Sequence, residues 1–422
     1  MWMRKRLDIR WRDLAIGAVG CLAPGDRERA EGRLLALWPR GDPLLACTSV
    51  RSGLDLLLEA AQLPPGGEVL FSAMTIPDMV RIVTDHGLIP IPVDLDPQTA
   101  APRLEALEAA VSPRTVAMVV AHLFGSRVEM RPLVQFARRR GLMLIEDCAQ
   151  AYCGPQYVGD SETDASLFSF GPIKSSTALG GAIVRVADAA LAGRMRARLE
   201  KQPVQSRWFF LRRIAKYGVL KICSARPIFT ALVVYWRWRG LDYDRLINAK
   251  VRGYASSDFY RRLRQRPSLP LLRLLTRRIR HFDAEAAAQR TRRGRLLARR
   301  LTSRRRGALA CPSAAVSPHA FWVFPIAVDD PDRLIAALFE HGFDATQGQS
   351  MCVVAAPAGS PSPKPEEAQR MLDRLVYLPF NPTIPTSELL RMAEVIRWST
   401  ATSQTPVYVE DLAPSVPHPA PH

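Results

Sequence analysis

Lys174 is the residue with the most chemistry to offer. It follows the bulky apolar run Leu167-Phe168-Ser169-Phe170, which reads as a buried strand broken by Gly171 and Pro172. Hydroxyls and the pair Gly180-Gly181 come after it. A lysine on a loop at the end of a buried strand can enter a cleft and condense with an aldehyde. A solvated surface lysine is the competing reading of this stretch taken alone. The chain's basic residues are nearly all arginine, with lysine only at 5, 174, 201, 216, 221, 250 and 364. Arginine keeps its proton at any usable pH, whereas a desolvated lysine can lose it, so a lysine in an apolar loop has a better claim to a purpose.

A carboxylate, a histidine and a small-residue turn stand in comparable places. Residues 142–148 read as a strand that delivers Asp147 at its end. A carboxylate there can hold the protonated nitrogen of a pyridine ring, or can cap the next segment. Gln150, three residues on, can face the same ligand. His122 closes the apolar run 115–122 and either packs under a bound ring or is a satisfied strand-end histidine. Residues 44–53 read as a short strand and turn feeding a helix over 54–61. The free N–H groups and positive dipole end of such a helix suit a phosphate; a plain N-cap by Ser49 or Ser52 is the alternative.

The elements that must position these residues alternate. Strands are predicted over 68–71, 88–94, 115–122 and 142–148, with helices over 77–86, 104–111 and 130–141. Such alternation implies a mostly parallel sheet covered on both faces, with ligands bound beyond the carboxyl ends of its strands. Ser49, His122, Asp147 and Lys174 all fall at or just past predicted strand ends. That shared location turns separate weak signals into one site.

Composition narrows the partners. The 422 residues allow two to three domains, and 48% hydrophobic with 23% charged residues is ordinary for a globular chain. A net charge of +18 is not ordinary. Nucleic acid, an anionic membrane surface, phosphorylated small molecules or a generally arginine-rich composition would each account for it. No nucleic-acid-binding signature is present, so nucleic acid is not expected as a partner. Seven scattered cysteines without a Cys-x-x-Cys pair argue against a disulfide framework or a zinc site and for a reducing compartment, and no metal site is expected. The basic N-terminus runs into Asp8 and Asp13 with no signal-peptide core, and the apolar run 227–236 is too short to span a bilayer. A cytoplasmic protein is expected.

Ile145-Glu-Asp-Cys-Ala-Gln-Ala151, Phe168-Ser-Phe-Gly-Pro-Ile-Lys174 and Ala178-Leu-Gly-Gly181 resemble the DegT/DnrJ/StrS family of sugar aminotransferases, which use pyridoxal phosphate and have fold type I. Val119-Val-Ala-His-Leu-Phe-Gly125 and Glu68-Val-Leu-Phe-Ser-Ala-Met-Thr75 are similar to the same family. The likeness covers about residues 40 to 195 and resumes near Phe321-Trp-Val-Phe-Pro-Ile and Leu378-Pro-Phe-Asn-Pro. It implies an α/β fold: a three-layer α/β/α large domain with a smaller C-terminal α+β domain. It implies that Lys174 is the Schiff-base lysine and proton shuttle, that Asp147 pairs with the pyridinium nitrogen, and that Gln150 lies by the ring. Val50 and Arg51 would offer backbone N–H groups to the phosphate and Ser169 a hydroxyl. The family's usual Gly-Thr is Val50-Arg51 here, and its usual aromatic ring-stacking residue is Ile76, which would give apolar contact instead. An asparagine normally lent by the neighbouring subunit is not found; Arg264, Gln265 and Arg266 stand nearby. A dehydratase relative would carry histidine at the lysine position, so Lys174 favours transamination. The resemblance thus implies a homodimer, glutamate as donor and a nucleotide-linked keto sugar as acceptor, in polysaccharide or secondary-metabolite biosynthesis. A relative serving as a binding or regulatory subunit is the alternative.

The expected organisation is an N-terminal arm (1–39), a large domain (40–265) with an inserted helical segment at about 202–258, a small domain (266–400) and a proline-rich, disordered tail (401–422). One long helix over 271–304 should link the domains. Within the insert, arginine and lysine sit beside tryptophan and phenylalanine through 207–239. That composition suits a helix pair on a membrane, or a hairpin packed on the protein or at a dimer contact.

Overall fold

A computed structural model describes residues 1–401 except 5, 40, 242–257, 303–308, 349 and 358–362. Seven strands form the central sheet: β1 (Leu44–Cys47), β2 (Glu68–Ser72), β4 (Ile89–Val93), β5 (Thr115–Ala121), β6 (Met143–Asp147), β7 (Ala165–Ser169) and β8 (Ala182–Val186), in the order β1-β8-β7-β6-β5-β2-β4. A short β3 (Met74–Thr75) lies outside it. Pairing from β4 through β7 is parallel.

The apolar runs of these strands serve two cores at once, because side chains alternate across a sheet. Phe71, Val119 and Ile145 join the helices Val50–Ala61, Pro77–Asp85 and Ala189–Glu200 on one face. Leu70, Met118, Val120 and Leu144 join Leu104–Ala110 and Met130–Arg140 on the other. The mostly parallel sheet covered on both faces, expected from the alternation, is therefore present.

One strand escaped the sequence reading. β8 runs antiparallel between β1 and β7. Its pattern is broken by Arg185, which is fully buried and hydrogen-bonded to the Asp160 and Thr163 carbonyls and to Ser166 Oγ. Gly181 opens it at φ +92°, where Leu275 would lie 3.0 Å from an added Cβ.

The link to the small domain differs as well. The helix expected over 271–304 is two helices, Leu269–Arg280 and Ala284–Thr302. Asp283 caps the second by accepting from Ala286 N–H at 3.0 Å, which fixes the break. The first packs with Trp38, Phe168 and Phe170 in the large-domain core, and the second packs with Phe321 and Phe324 in the small one. Packing thus passes from one core to the other between the two helices. The small domain pairs β9 (Phe324–Ala327) with β11 (Leu375–Leu378), while β10 (Cys352–Val353) crosses over to pair with β3.

The N-terminal segment touches both halves of the chain. It contains a helix, Trp11–Leu22, and reaches both domains. Arg4 grips the fully buried Asp344 in the small domain. Arg278 joins the arm to the lysine loop, donating to Asp13 Oδ2 (2.9 Å), the Asp8 carbonyl (2.6 Å) and the Thr177 carbonyl (3.1 Å). The inserted segment begins with the expected helix pair, Arg207–Cys223 and Arg226–Trp238, bent by 85°. Its remainder at 242–257 and the tail beyond 401 lie outside the described residues.

Candidate active site

Chain geometry brings the C-terminal ends of β1, β6 and β7 to one edge of the sheet. β6 ends in Asp147, and β7 ends in Ser169, five residues before Lys174. The two charged groups feel one another. Burial pushes the Asp147 carboxyl up, while the Ala149 N–H and the Lys174 ammonium pull it back. Burial lowers the Lys174 amine to about 8; Asp147 opposes that shift and the Arg51 charge adds to it. Lys174, Asp147 and Arg51, separated widely in sequence, therefore share one neighbourhood.

The turn after β1 supplies the third component. Ser49 caps the helix Val50–Ala61, its Oγ accepting from Ser52 N–H at 3.1 Å. Val50 and Arg51 are the first residues of that helix, where N–H groups point outward along the axis and carry the positive dipole end. The Arg51 guanidinium pairs with Asp78 in the first turn of Pro77–Asp85. Ile76 precedes that turn, partly buried against the same core. Arg264, a candidate to replace the missing asparagine, is held by Asp55 through two bonds of 2.9 and 3.0 Å.

Gln150 is fixed by its own amide, with Oε1 accepting from Phe124 N–H at 2.8 Å. Ser169 Oγ accepts from Gly171 N–H at 3.4 Å at the start of the lysine loop. His122 takes the satisfied strand-end arrangement instead of presenting a nitrogen to a substrate. Its Nδ1 accepts from Val128 N–H at 2.9 Å, so Nε2 carries the proton and donates to Glu146 at 2.7 Å. Burial would raise the Glu146 carboxyl, but His122, Tyr157 and Ser166 more than offset it and hold it at about 2. His122, Glu146 and Cys148 bring potential metal ligands within 4.8 Å of one another. Burial pushes the Cys148 thiol well up.

Several contributors were not legible as site residues. Trp322 lays its ring 4.0 Å from Lys174 Nζ and donates Nε1 to the Ile173 carbonyl at 2.9 Å. Its segment is stitched to the loop after β5 by Ala320 N–H to Gly125 O (2.7 Å) and Arg127 N–H to Pro318 O (3.1 Å). Gly125, at φ +101°, permits this approach, since Trp322 N would lie 2.6 Å from a Cβ there. Asp8 accepts from Ser176 N–H at 2.5 Å and so holds the lysine loop from the N-terminal arm. The aromatic run around Trp322 gave a fold signal only. Nothing in the sequence tied Asp8 or Asp78 to this place.

Residues 26–210 match the DegT/DnrJ/EryC1/StrS aminotransferase family. Two curated relatives are each 37% identical: a UDP-N-acetyl-3-dehydro-alpha-D-glucosamine 3-aminotransferase of Acidithiobacillus ferrooxidans over 156 residues, and a GDP-perosamine synthase of Caulobacter vibrioides over 155 residues. Each match takes in 36% of this chain, and the chain spans only 42% of either relative's length. Among solved structures, the aminotransferase TlmJ from Streptoalloteichus hindustanus is similar at TM-score 0.68 and 18% identity, with 95% of this chain and 100% of that one covered. The aminotransferase from Psychrobacter cryohalolentis is similar at TM-score 0.68 and 18% identity, over 93% and 98% of the two chains. At such identities the structures attest the fold, here the α/β fold type I.

Proposed function

We propose, on the premise that residues 26–210 belong to the DegT/DnrJ/EryC1/StrS aminotransferases, that this chain is a pyridoxal-phosphate-dependent aminotransferase. It moves an amino group from glutamate to the ketone of a nucleotide-linked sugar. The observation that carries the reading is the meeting of Lys174, Asp147 and Arg51 at a helix N-terminus. That donor set fits the cofactor: a partly neutral amine suits its aldehyde, a half-buried carboxylate its ring nitrogen, and a cation beside a helix N-terminus its phosphate. Relatives named for UDP- and GDP-linked sugars support the nucleotide sugar.

When bound, the cofactor supplies an aldehyde for the amine and a sink for electrons. Lys174 is its attachment point and, in the neutral form, the base that takes a proton from the donor's α-carbon. Asp147 holds a proton on the ring nitrogen. The N–H groups of Val50 and Arg51 and the Ser169 hydroxyl hold the phosphate. Gln150, anchored on Phe124, and Ile76 orient the ring. Trp322 covers the Lys174 amine and excludes water from it. The donor leaves as its 2-oxo acid, and its nitrogen ends on the former ketone carbon of the sugar. In the same reading the enzyme is a homodimer with sites at the subunit interface. It works in the cytoplasm, peripheral to the inner membrane face through residues 207–239, in cell-surface polysaccharide or secondary-metabolite sugar synthesis.

The test is to supply purified protein with pyridoxal phosphate, glutamate and UDP- or GDP-linked keto sugars. The expected result is 2-oxoglutarate and amino sugar in equal amounts. Cofactor binding without any response to glutamate would instead favour a non-catalytic binding subunit, a reading that draws on the altered Val50-Arg51 turn.

A further inference from the structure

We infer that three helices, Trp11–Leu22, Arg207–Cys223 and Arg226–Trp238, form one composite surface that docks on an anionic phospholipid leaflet. The inference rests on the membrane contact proposed for 207–239, gives it a lipid chemistry and extends it to a distant part of the chain.

The first argument is apolar exposure. Each helix buries only a narrow stripe: Leu14, Gly17 and Cys21 in the first, Phe210, Ile214 and Tyr217 in the second, Phe229 and Val233 in the third. Among the described residues, thirteen of the eighteen exposed large hydrophobic side chains lie between 11 and 22 or between 207 and 241. They include Trp11 at 53%, Trp208 at 64% and Trp238 at 78% exposure. Tryptophan gathered on an exposed apolar surface fits the membrane–water interface, where its amphipathic ring is stable.

The second argument is charge. Residues 207–241 hold eight arginines and lysines and no acid, and Arg6, Arg10 and Arg12 add cations at the start of the N-terminal helix, Arg10 paired with Asp283. A surface of one sign attracts anionic headgroups. The same asymmetry argues against a second copy as the occupant, since a two-fold contact would set the cations of each copy against one another. Nor does the pair cross a bilayer as one rod: among the described residues no single helix is long and apolar enough, and these two meet at 85°.

The third argument is continuity. Lys221 Nζ lies 5.7 Å from the Trp11 ring, which joins the N-terminal helix to the hairpin. A cleft of about 530 Å³ opens between them, lined by the cations Arg6, Arg10 and Lys221 and by apolar Trp11, Ile222 and Ile228. Cations beside short apolar side chains match a lipid phosphate and the first methylenes below it.

The experiment sediments the full-length protein with phosphatidylcholine vesicles, with and without phosphatidylglycerol, at low and high salt. The protein should pellet with the anionic vesicles alone, be released by salt, and shift its tryptophan emission to the blue when bound. Trp208→Glu/Trp238→Glu and Trp11→Glu/Val19→Glu should each abolish pelleting while keeping the circular dichroism and melting temperature of the parent. Arg212→Gln/Arg239→Gln should weaken partitioning about thirty-fold, at roughly tenfold or less per cation near an anionic surface. If only the hairpin variant loses binding, the composite surface is wrong while the 207–239 contact stands. If the parent never pellets, or self-associates through this surface so that the variants merely dissociate it, both fall.

Discussion

Trp322, from the segment ahead of β9, covers the amine of Lys174, its ring centroid 4.0 Å from Nζ. A side chain from outside the seven-stranded sheet thus sits on the amine proposed to carry the chemistry. Removing it has a definite expected sign. Burial is the main cause of the lowered Lys174 amine, and the ring's attraction for the ammonium opposes that shift by only about 0.5–1 kcal/mol. Trp322→Ala should therefore raise the amine's titration midpoint from about 8 by roughly one unit. The pH dependence of labelling of Lys174 by an amine-specific reagent, read by peptide mass mapping, measures it. A downward shift would mean that the indole does not shield the amine from water.

Arg51 should matter to cofactor affinity more than to folding. Its charge acts on Lys174 and its guanidinium is held by Asp78. Arg51→Gln removes the cation and should weaken pyridoxal phosphate binding about tenfold, the worth of one charge-assisted hydrogen bond. Ser49→Ala, by contrast, removes the N-cap and should cost about 1 kcal/mol of stability. Absorbance titration and thermal melting separate the two effects.

The His122–Glu146 pair sets an acid limit on the fold. Glu146 titrates at about 2 in the folded chain and at an ordinary 4.5 when unfolded. A carboxyl depressed in this way adds stability that is complete above 4.5 and is lost as pH falls towards 2. His122→Ala leaves the buried Glu146 carboxylate with Tyr157 and Ser166 but one donor short, and should cost about 1.5–3 kcal/mol near neutral pH. It should also flatten the acid limb of the stability profile, which denaturant melts across pH would record.

The parallel sheet and the gathering of Asp147 and Lys174 were legible because each follows a continuous apolar run, and in such a sheet strand ends converge. β8 was not, because the fully buried Arg185 interrupts its apolar pattern. Hydrogen bonds that Arg185 donates to Asp160, Thr163 and Ser166, residues distant in sequence, make that burial tolerable. The break at Asp283 was missed because helical residues continue on both sides, and a capping aspartate inside such a run looks like one more solvated charge. His122 was left open between two roles, and Val128 N–H, six residues on, decides its tautomer and its partner. Trp322 and Asp8 reach the lysine loop only through tertiary packing, about which periodicity says nothing.

Lys174→Ala should abolish turnover by at least the roughly 10²–10⁴-fold that a positioned acid–base group supplies. Loss of activity alone would not say which bond Lys174 makes.

The most direct measurement is borohydride trapping. Cofactor-free protein is mixed with pyridoxal phosphate, reduced, digested and mapped by mass spectrometry. A single pyridoxyl adduct on Lys174, absent from Lys174→Ala, is the predicted result. Adducts spread over Lys201, Lys216 and Lys221, or an adduct that persists in the variant, would contradict the account.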